Sequence, residues 1–390
     1  MQGLCITHIL LEKNMKETKN GLKYEYEVLK VGDADAILIR HYIGDEQFIV
    51  LIDAGNAGDA AIIKKHLNDY YGSYYIDLAI CTHPDSDHKD GFFDLFLDEE
   101  ITIQELWLTD PASFIDENDI QRYRNHDNAV SAVRKIWNKS TDDNLNLIEL
   151  AIDEGCDVYN VVDGFKHDKL PICVVGPSAD YYVEVVKAMV ANYGIKTYED
   201  SSKEAYDDAF KIDEKDIKSV IDNEEDPSPY NASSLIVLYE PGDGKRLLFA
   251  GDANTTSLQM MLDKYKWLRN VEFLKVPHHG SRRNLNTSII ENLSPKKCYI
   301  SAAGNKKHPS GRLVYWLAKY GDVYSTHVCN SFIHCSSAAM PDRYGTIKLS
   351  PFKEKNNATL NLFASILTTL INLSLIEMGL CYGPISISVN

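Results

Sequence analysis

The chain has 390 residues, of which 44% are hydrophobic and 25% charged, so it can bury a large core in one big domain or two ordinary ones. Its formal net charge of -17 argues against a protein coated in phosphate-binding side chains, because nonspecific affinity for nucleic acid comes mainly from Lys and Arg. Eight scattered cysteines without a CxxC pair argue against a zinc knuckle or a disulfide framework. The N-terminal apolar stretch is too short for a signal peptide, so we expect a cytoplasmic protein.

Short apolar runs rich in Val, Ile and Leu recur along the chain and predict buried strands. In chain order, these predicted strands are residues 36–40, 48–52, 78–82, 172–175, 235–239, 246–250, 272–276 and 298–302. Amphipathic patterns between them predict helices at residues 60–71, 125–138, 179–193, 255–264, 288–293 and 312–319. Strands that alternate with helices indicate a layered α/β fold.

Two segments interrupt this alternation and are predicted to be insertions. Residues 99–164 have a mostly helical pattern, whereas residues 194–229 have few apolar anchors and predict a mobile, partly helical surface element. We expect one domain over residues 1–355, followed by an apolar tail over residues 356–390. The tail could form a helix that packs on the core, on a protein partner or on a second copy of the chain. A membrane span is disfavoured because Asn361, Asn372 and many hydroxyls interrupt the apolar run.

Charge is distributed unevenly along the chain. Residues 264–319 contain twelve Lys or Arg and two acids, whereas residues 196–229 contain twelve acids and five Lys. The basic segment could meet an anionic substrate, and the acidic segment could repel or mimic one. A solvated charged surface is the alternative explanation for both segments.

The first candidate site follows the predicted strand at residues 78–82. The sequence LAICTHPDSDHKDG places two histidines and two carboxylates within six residues, on a segment that Pro84 predicts to be a loop. These four candidate ligands are His83, Asp85, Asp87 and His88. Imidazole with carboxylate suits zinc, manganese or iron, and two such ions about 3.5–4 Å apart can hold and activate a hydroxide. A solvated surface turn is the alternative interpretation.

Three further predicted strands end in residues of the same chemical types. Asp53 follows residues 48–52, Asp252 follows residues 246–250, and the sequence HHGS, which starts at His278, follows residues 272–276. Chain ends at one edge of a sheet converge, and ligands usually bind there. Each motif alone is typical of a turn, so the hypothesis of a metal site depends on the whole set.

The order of the motifs resembles the metallo-β-lactamase superfamily, and in particular the hydrolase domain of the competence-related ComEC/Rec2 type. The resemblance covers about residues 28–350 and is carried by KVGDADAILI, LIDAG, THPDSDHKDG, NASSLIVLYE, LLFAGDA, LKVPHHGS and ISAAGNKKHPS. It implies a four-layered αββα metallo-β-lactamase sandwich over residues 1–355, with the helical and acidic insertions and the apolar helical tail described above.

The resemblance also implies a role for each matching residue. Two divalent ions, zinc or manganese, would be held by His83, Asp85, Asp87, His88, Asp252 and His279, with Asp252 as the bridge. The roles of His278 and His279 could be exchanged. Catalytic roles are expected for Asp87, His278 and His308, although His308 could equally be a loop residue beside Pro309. The residues expected to contact substrate are Asn231, Ser234, Ser281, Arg282 and Lys307, and those expected to orient the ligands are Asp53 and Asp35.

The chain departs from the superfamily's pattern at three places. Ala34 replaces a glycine, Asp85 replaces a common histidine, and PSPYNASS replaces a glycine-rich loop that supplies another ligand histidine. His126 and His167 lie in the predicted insertions, so neither is expected to substitute for it. A site with fewer imidazoles and more carboxylates should be more open to manganese.

The leading hypothesis is a phosphodiesterase, specifically a nuclease, with nucleic acid as substrate and a metal-activated hydroxide as nucleophile. The basic residues that follow HHGS support it. A hydrolase of a small phosphodiester, lactone or thioester is the alternative enzyme, because the fold does not determine the substrate. A third hypothesis is a partner-regulated effector subunit of a defence complex, suggested by the apolar tail and the acidic segment.

Overall fold

The computed structural model describes residues 23–115, 126–192, 213–303, 308–326, 332–335 and 348–349. Three of the sequence-based expectations fall outside these residues. They concern Lys307, the tail over residues 356–390, and residues 194–212 of the acidic segment.

The strands are numbered in chain order. They are β1 (Tyr24–Val28), β2 (Ala36–Ile43), β3 (Glu46–Ala54), β4 (Tyr75–Ile80), β5 (Thr102–Leu108), β6 (Asn138–Lys139), β7 (Asp142–Asn146), β8 (Asp157–Asn160), β9 (Ile172–Gly176), β10 (Ile236–Tyr239), β11 (Leu247–Phe249), β12 (Phe273–Lys275), β13 (Lys297–Ile300), β14 (Asp322–Ser325), β15 (Phe332–Cys335) and β16 (Lys348–Leu349).

The helices are α1 (Ala60–His66), α2 (Ser86–Phe96), α3 (His126–Arg134), α4 (Leu147–Asp153), α5 (Ala179–Asn192), α6 (Glu214–Asp222), α7 (Pro229–Ala232), α8 (Thr255–Lys264), α9 (Thr287–Leu293) and α10 (Gly311–Leu317). Short turns of other helix types cover Leu67–Tyr71, Pro111–Phe114, Lys135–Trp137 and His278–Gly280. Among the described residues, no helix is long and apolar enough to cross a membrane.

Two seven-stranded sheets form the centre of the fold. The first has the order β15-β1-β2-β3-β4-β5-β8, and the second has the order β16-β14-β13-β12-β11-β10-β9. In the first sheet β3, β4, β5 and β8 are parallel neighbours, and in the second β11 to β14 are parallel neighbours. The carboxyl ends of these parallel strands therefore meet at common edges, where ligands usually bind in α/β sheets.

The layering follows from the alternation of side chains along each strand. In β3, Val50 and Ile52 face a cluster that also contains Phe249 and Phe273 of the second sheet. Leu51, between them, faces the opposite side and packs in a cluster with α1 and α2 residues. Another cluster joins the outer face of the second sheet to α6, α8, α9 and α10. Each sheet is thus covered by the other sheet on one face and by helices on the other, which is why its strands are continuous apolar runs. The predicted four-layered αββα sandwich is confirmed.

The prediction that residues 99–164 are mostly helical is wrong for the described part of this segment. Its ends contain β5 and β8, which belong to the first sheet, and β6 and β7 form a small separate hairpin. In Thr102–Leu108 exposed and buried side chains alternate only over the first three residues, and the strand ends in a buried apolar run, a pattern too short to indicate a helix. The residues between these strands include α3 and α4.

The described part of the acidic segment is fixed by packing, contrary to the prediction of a mobile element. Ile217 and Ile221 of α6 are fully buried in the cluster with α9 and α10. The Asp222 carboxylate accepts hydrogen bonds from the backbone N–H and the hydroxyl of Thr287, at 2.8 and 2.9 Å. The two isoleucines are four positions apart and therefore share one helix face, which composition alone does not reveal.

Candidate metal centre

His83, Asp85, Asp87 and His88 lie at the junction of β4 and α2. The prediction that all four lie on a loop is wrong for Asp87 and His88, because α2 begins at Ser86. Asp85 has extended backbone angles and is the residue that precedes the helix. Asp87 lies in the first turn of α2, where the helix dipole favours negative charge.

Close packing of α2 on β3 brings His88 to the end of that strand. A Cβ atom on Gly91 would lie 1.9 Å from the backbone oxygen of Ala54, so only glycine allows this approach. The Gly91 N–H donates to the backbone oxygen of Gly55 at 3.0 Å. His88 lies about one turn before Gly91 and is fully buried against Asp53.

Imidazole and carboxylate atoms from three chain segments converge here. One ligating atom each from His83, His88 and Asp252 lie within 4.8 Å of one another, and the same holds for Asp87, His88 and His279. Nε2 of His88 is 3.5 Å from Oδ1 of Asp252 and 3.6 Å from Oδ2 of Asp87. The two groups therefore share His88.

Asp85 and His279 complete the set of six predicted ligands. Oδ2 of Asp85 lies 3.7 Å from Nε2 of His83, on the more exposed side of the centre. Nε2 of His279 lies 3.0 Å from Oδ2 of Asp87. The structure thus brings all six side chains together, and its geometry favours His279 over His278 as the histidine of the HHGS motif that faces the carboxylates.

Each histidine of the centre is oriented through its Nδ1 atom. His88 Nδ1 contacts Oδ2 of Asp53 at 2.8 Å, and His279 Nδ1 contacts the backbone oxygen of Ser301 at 2.9 Å. Both oxygens can only accept, so Nδ1 carries the proton in the neutral ring. His83 Nδ1 lies 3.1 Å from the Thr82 hydroxyl, which itself donates to Asp53 at 2.8 Å. The Nε2 lone pairs of all three rings consequently face the centre.

This arrangement fits a divalent cation. Within the described part of the chain, Nε2 of His83 and Nε2 of His88 are buried without a hydrogen-bond partner. Carboxylate oxygens, which are also acceptors, lie 3.7 Å from His83 Nε2 and 3.5 Å from His88 Nε2. Buried acceptors that face only other acceptors are costly unless a cation or a proton lies between them, and a set of imidazoles and carboxylates suits zinc or manganese.

The pKa shifts reflect the same geometry. Burial by itself would lower the pKa of His88, but the carboxylates of Asp252 and Asp53 outweigh burial and raise it well above its usual value. Burial would raise the pKa of Asp252, yet the nearby His88 holds it well below its usual value. Protons and metal ions compete for these atoms, so the affinity for metal should fall as the pH is lowered.

Backbone strain is concentrated in the site. Asp53, His278 and His279 have φ values of 56, 48 and 52 degrees, in the left-handed region that non-glycine residues rarely adopt. Each such residue costs of the order of 1–3 kcal/mol, and strained residues cluster at functional sites. The strain at His278 and His279 turns the two adjacent rings toward different partners.

His278 is held by a network of its own. Its Nδ1 lies 2.9 Å from Oδ2 of Asp226, and that oxygen also accepts from the side-chain amides of Asn231 and Asn284, at 2.7 and 3.0 Å. Despite burial, Asp252 and Asp226 raise the pKa of His278 to about 9. Sequence reasoning missed Asp226 and Asn284. Asp226 was one acid among twelve in its segment, and only its position close to NASS distinguished it.

Several residues expected to contact substrate lie deeper than predicted. Ser234 is fully buried and its hydroxyl accepts from the Asp252 N–H at 3.0 Å, so it supports the ligand loop. Ser281 is also buried, and its hydroxyl accepts from the Arg283 N–H at 3.3 Å. These positions do not support the contacts predicted for the two serines. The His308 ring is buried, with its centre 5.2 Å from that of His278.

Arg282 belongs to an ion pair. Its guanidinium lies 3.0 Å from Oε2 of Glu224, and Nε of Arg283 contacts the same carboxylate at 3.3 Å. Arg312 lies 3.5 Å from Asp216 in the same acidic segment. Part of the positive charge of the basic segment is therefore neutralised by residues of the acidic segment.

Lys275 is a component of the site that sequence reasoning missed. It is fully buried, forms an ion pair with Asp35, and donates to the backbone oxygen of Gly251 at 2.9 Å. Its ammonium also lies 3.6 Å from Oδ1 of Asp252. The sequence offered one signal, a lysine inside the predicted buried strand at residues 272–276.

A curated relative is similar to a limited part of the chain. No protein-family model matches the sequence. ComE operon protein 3 of Bacillus subtilis (strain 168) is 31% identical over 97 residues, which are 24% of this chain and 12% of that protein. The similarity therefore concerns about an eighth of that relative's length.

Among solved structures, the metallo-β-lactamase fold protein YhfI from Bacillus subtilis covers 80% of this chain and 99% of its own, with a TM-score of 0.37 and 9% identity. A similarity this low carries no argument about activity, so the function is argued from the site itself.

Proposed function

We propose that this chain is a metal-dependent hydrolase that hydrolyses phosphodiesters and that nucleic acid is its substrate. The observation that carries the proposal is the convergence of the Nε2 atoms of three histidines, His83, His88 and His279, with three carboxylates, those of Asp85, Asp87 and Asp252. A further imidazole, that of His278, stands beside them without joining either ligand group.

Six side chains are proposed to hold two divalent ions. One ion would be held by His83 and Asp85, the other by Asp87 and His88, with Asp252 between them and His279 as the remaining ligand. When bound, two such ions lower the pKa of water and offset negative charge on a phosphodiester. The hydrogen bonds at Nδ1 fix each ring before the ions bind, which reduces the cost of ordering the site.

The remaining polar residues are proposed to serve the substrate. His278 keeps its Nδ1 on Asp226, so its Nε2 is the edge available for a substrate oxygen. A partly exposed imidazole in this position can give a proton to the leaving oxygen. Asn231 lies 3.3 Å from His278 Nδ1 and belongs to the same network, so we assign it to positioning the ring.

A hydrolase of small phosphodiesters is the second candidate, and one observation favours it. Glu224 already engages Arg282, which was expected to contact substrate, and the neighbouring Arg283. Arginines already engaged by a carboxylate would weaken the binding of a polymer much more than the binding of a small substrate, because each phosphate contact contributes to nucleic-acid affinity.

The test uses the purified full-length chain loaded with manganese or zinc. Turnover is measured on single-stranded DNA, duplex DNA, RNA, bis(p-nitrophenyl) phosphate, a lactone and a thioester. We expect hydrolysis of phosphodiesters, with nucleic acid preferred. Turnover of the lactone or the thioester alone, by protein that holds two metal ions, would contradict the proposal, and cleavage of the chromogenic ester alone would favour the second candidate.

A further inference from the structure

Lys275 is a fully buried lysine at the end of β12, and its ammonium lies at the base of the metal centre. It forms an ion pair with Asp35, which is also fully buried, and lies 3.6 Å from Oδ1 of the proposed bridging ligand Asp252. A hydrogen bond at 2.9 Å to the backbone oxygen of Gly251 fixes the ammonium in place. Burying a charge is costly unless it is paired, so this position requires an explanation.

The charges of the centre supply that explanation. Five carboxylates surround the three histidines, namely Asp35, Asp53, Asp85, Asp87 and Asp252. Two divalent ions would match four of these negative charges, and the Lys275 ammonium matches the fifth. Asp226 lies outside this count because it pairs with His278.

Asp35, Asp53 and His88 also form a group whose ligating atoms lie within 4.8 Å of one another. It is poorly suited to a third metal ion. His88 presents Nδ1 to this group, and that atom contacts Asp53 at 2.8 Å as a donor, so no imidazole lone pair points toward it. The ammonium of Lys275 already contacts Asp35, the remaining member of the group.

We propose that Lys275 is a built-in monovalent cation of the metal centre, which balances the fifth carboxylate and thereby limits the centre to two divalent ions. This inference rests on the proposed metal centre. Lys275 is fully buried and is not proposed to contact substrate. It acts through Asp35 and Asp252 and is a positioning residue.

The test compares Asp35→Asn, Lys275→Met and the double variant by metal content and by chelator competition. Asp35→Asn leaves one positive charge in excess, so divalent-ion affinity should fall by roughly 10–100-fold, the usual effect of losing a partner that supports the ligands. Lys275→Met leaves one negative charge in excess, so affinity should not fall. The double variant restores the balance and should recover most of the affinity lost in Asp35→Asn.

A purely structural role predicts a different order of affinities, with both single variants weakened and the double variant weakest. That order in folded protein would overturn the inference. Should the double variant not fold, Asp35→Asn with Lys275→Gln keeps a hydrogen-bonding pair and serves in its place. The matched control uses another buried ion pair, that of Lys89 and Asp90 at 2.5 Å. The Asp90 carboxylate also accepts a hydrogen bond from the Ser140 N–H. The control variant is Lys89→Met with Asp90→Asn.

The wild-type protein separates the two possible failures. Fewer than two divalent ions in the wild type would contradict the metal centre itself. Two ions in the wild type, with equal losses in Asp35→Asn and Lys275→Met, would contradict only the role of Lys275.

Discussion

Asp53 and His88 are joined by a contact of 2.8 Å between Oδ2 and Nδ1, although 35 positions separate them in the chain. The same aspartate accepts from the N–H and the hydroxyl of Thr82, both at 2.8 Å. One carboxylate therefore orients His88 directly and His83 through Thr82. The side chain that determines the direction of these lone pairs is itself outside the proposed ligand set.

Asp53→Asn is expected to weaken metal binding while preserving the fold. Asparagine tolerates the positive φ of this position better than most residues, so the backbone should keep its shape. Because an amide can present its N–H₂ group to Nδ1, the tautomer of His88 is no longer fixed, and affinity should fall roughly 10–100-fold. Chelator competition measures the loss. Asp77→Asn, which loses a carboxylate bonded to the Ile49 N–H on the same sheet, should leave affinity unchanged.

Asp87→Ala is expected to abolish hydrolysis and reduce metal content together. Asp87 lies in the first turn of α2, so its loss should cost the helix only about 0.3–1 kcal/mol of dipole stabilisation. Metal analysis, turnover and thermal unfolding of one preparation test this. Asp94→Ala removes another carboxylate of α2, which bonds to Lys139, and should retain both metal and activity. Turnover at the wild-type rate in Asp87→Ala would refute the assignment.

Glu224→Gln is expected to strengthen binding to single-stranded DNA at low salt. The substitution releases Arg282 and Arg283 from a shared carboxylate, and each arginine that then contacts a phosphate should steepen the salt slope by about 0.7 units. The gain should shrink at high salt, where screening weakens both contacts. Binding isotherms at several salt concentrations measure it. Glu225→Gln is the control, because Glu225 bonds to Thr256 rather than to an arginine, and equal slopes in both variants would exclude a competitive role for Glu224.

His41 should make the metal-free protein sensitive to acid. Burial lowers the pKa of His41 to about 4, and its Nδ1 contacts the Tyr239 hydroxyl at 2.8 Å between the sheets. The unfolded chain takes up the proton near pH 6.5 whereas the folded chain resists it, so stability is lost as pH falls from about 6.5 to about 4. The free energy of unfolding should fall by roughly 2 kcal/mol between pH 7 and pH 5 from this residue. Denaturant titrations in chelator measure it, and His41→Gln should lose that part of the pH dependence.

The main features of the fold follow from local patterns in the sequence. Apolar runs such as Phe48–Ile52 have to be strands buried on both faces, and the helix at Thr255–Lys264 has the predicted limits. The motif HxDxDH, the GD pair and HHGS each follow such a run, so their place at strand ends was also predictable. Taken together, their residue types indicate metal binding, because imidazole and carboxylate are the ligands that such ions take.

Only the tertiary structure decided which charged residues belong to the centre. Lys275 reads as one of twelve bases and Asp226 as one of twelve acids, yet both are buried against ligands or their neighbours through contacts that span 24 and 52 positions. Arg282 reads as a phosphate contact, but Glu224, 58 positions away, engages it. The choice between His278 and His279 depends on two positive φ angles and on partners from distant segments. A side chain's charge is local information, whereas its partner is set by packing between elements far apart in the chain, and packing also determines whether that charge faces water, an ion or another residue.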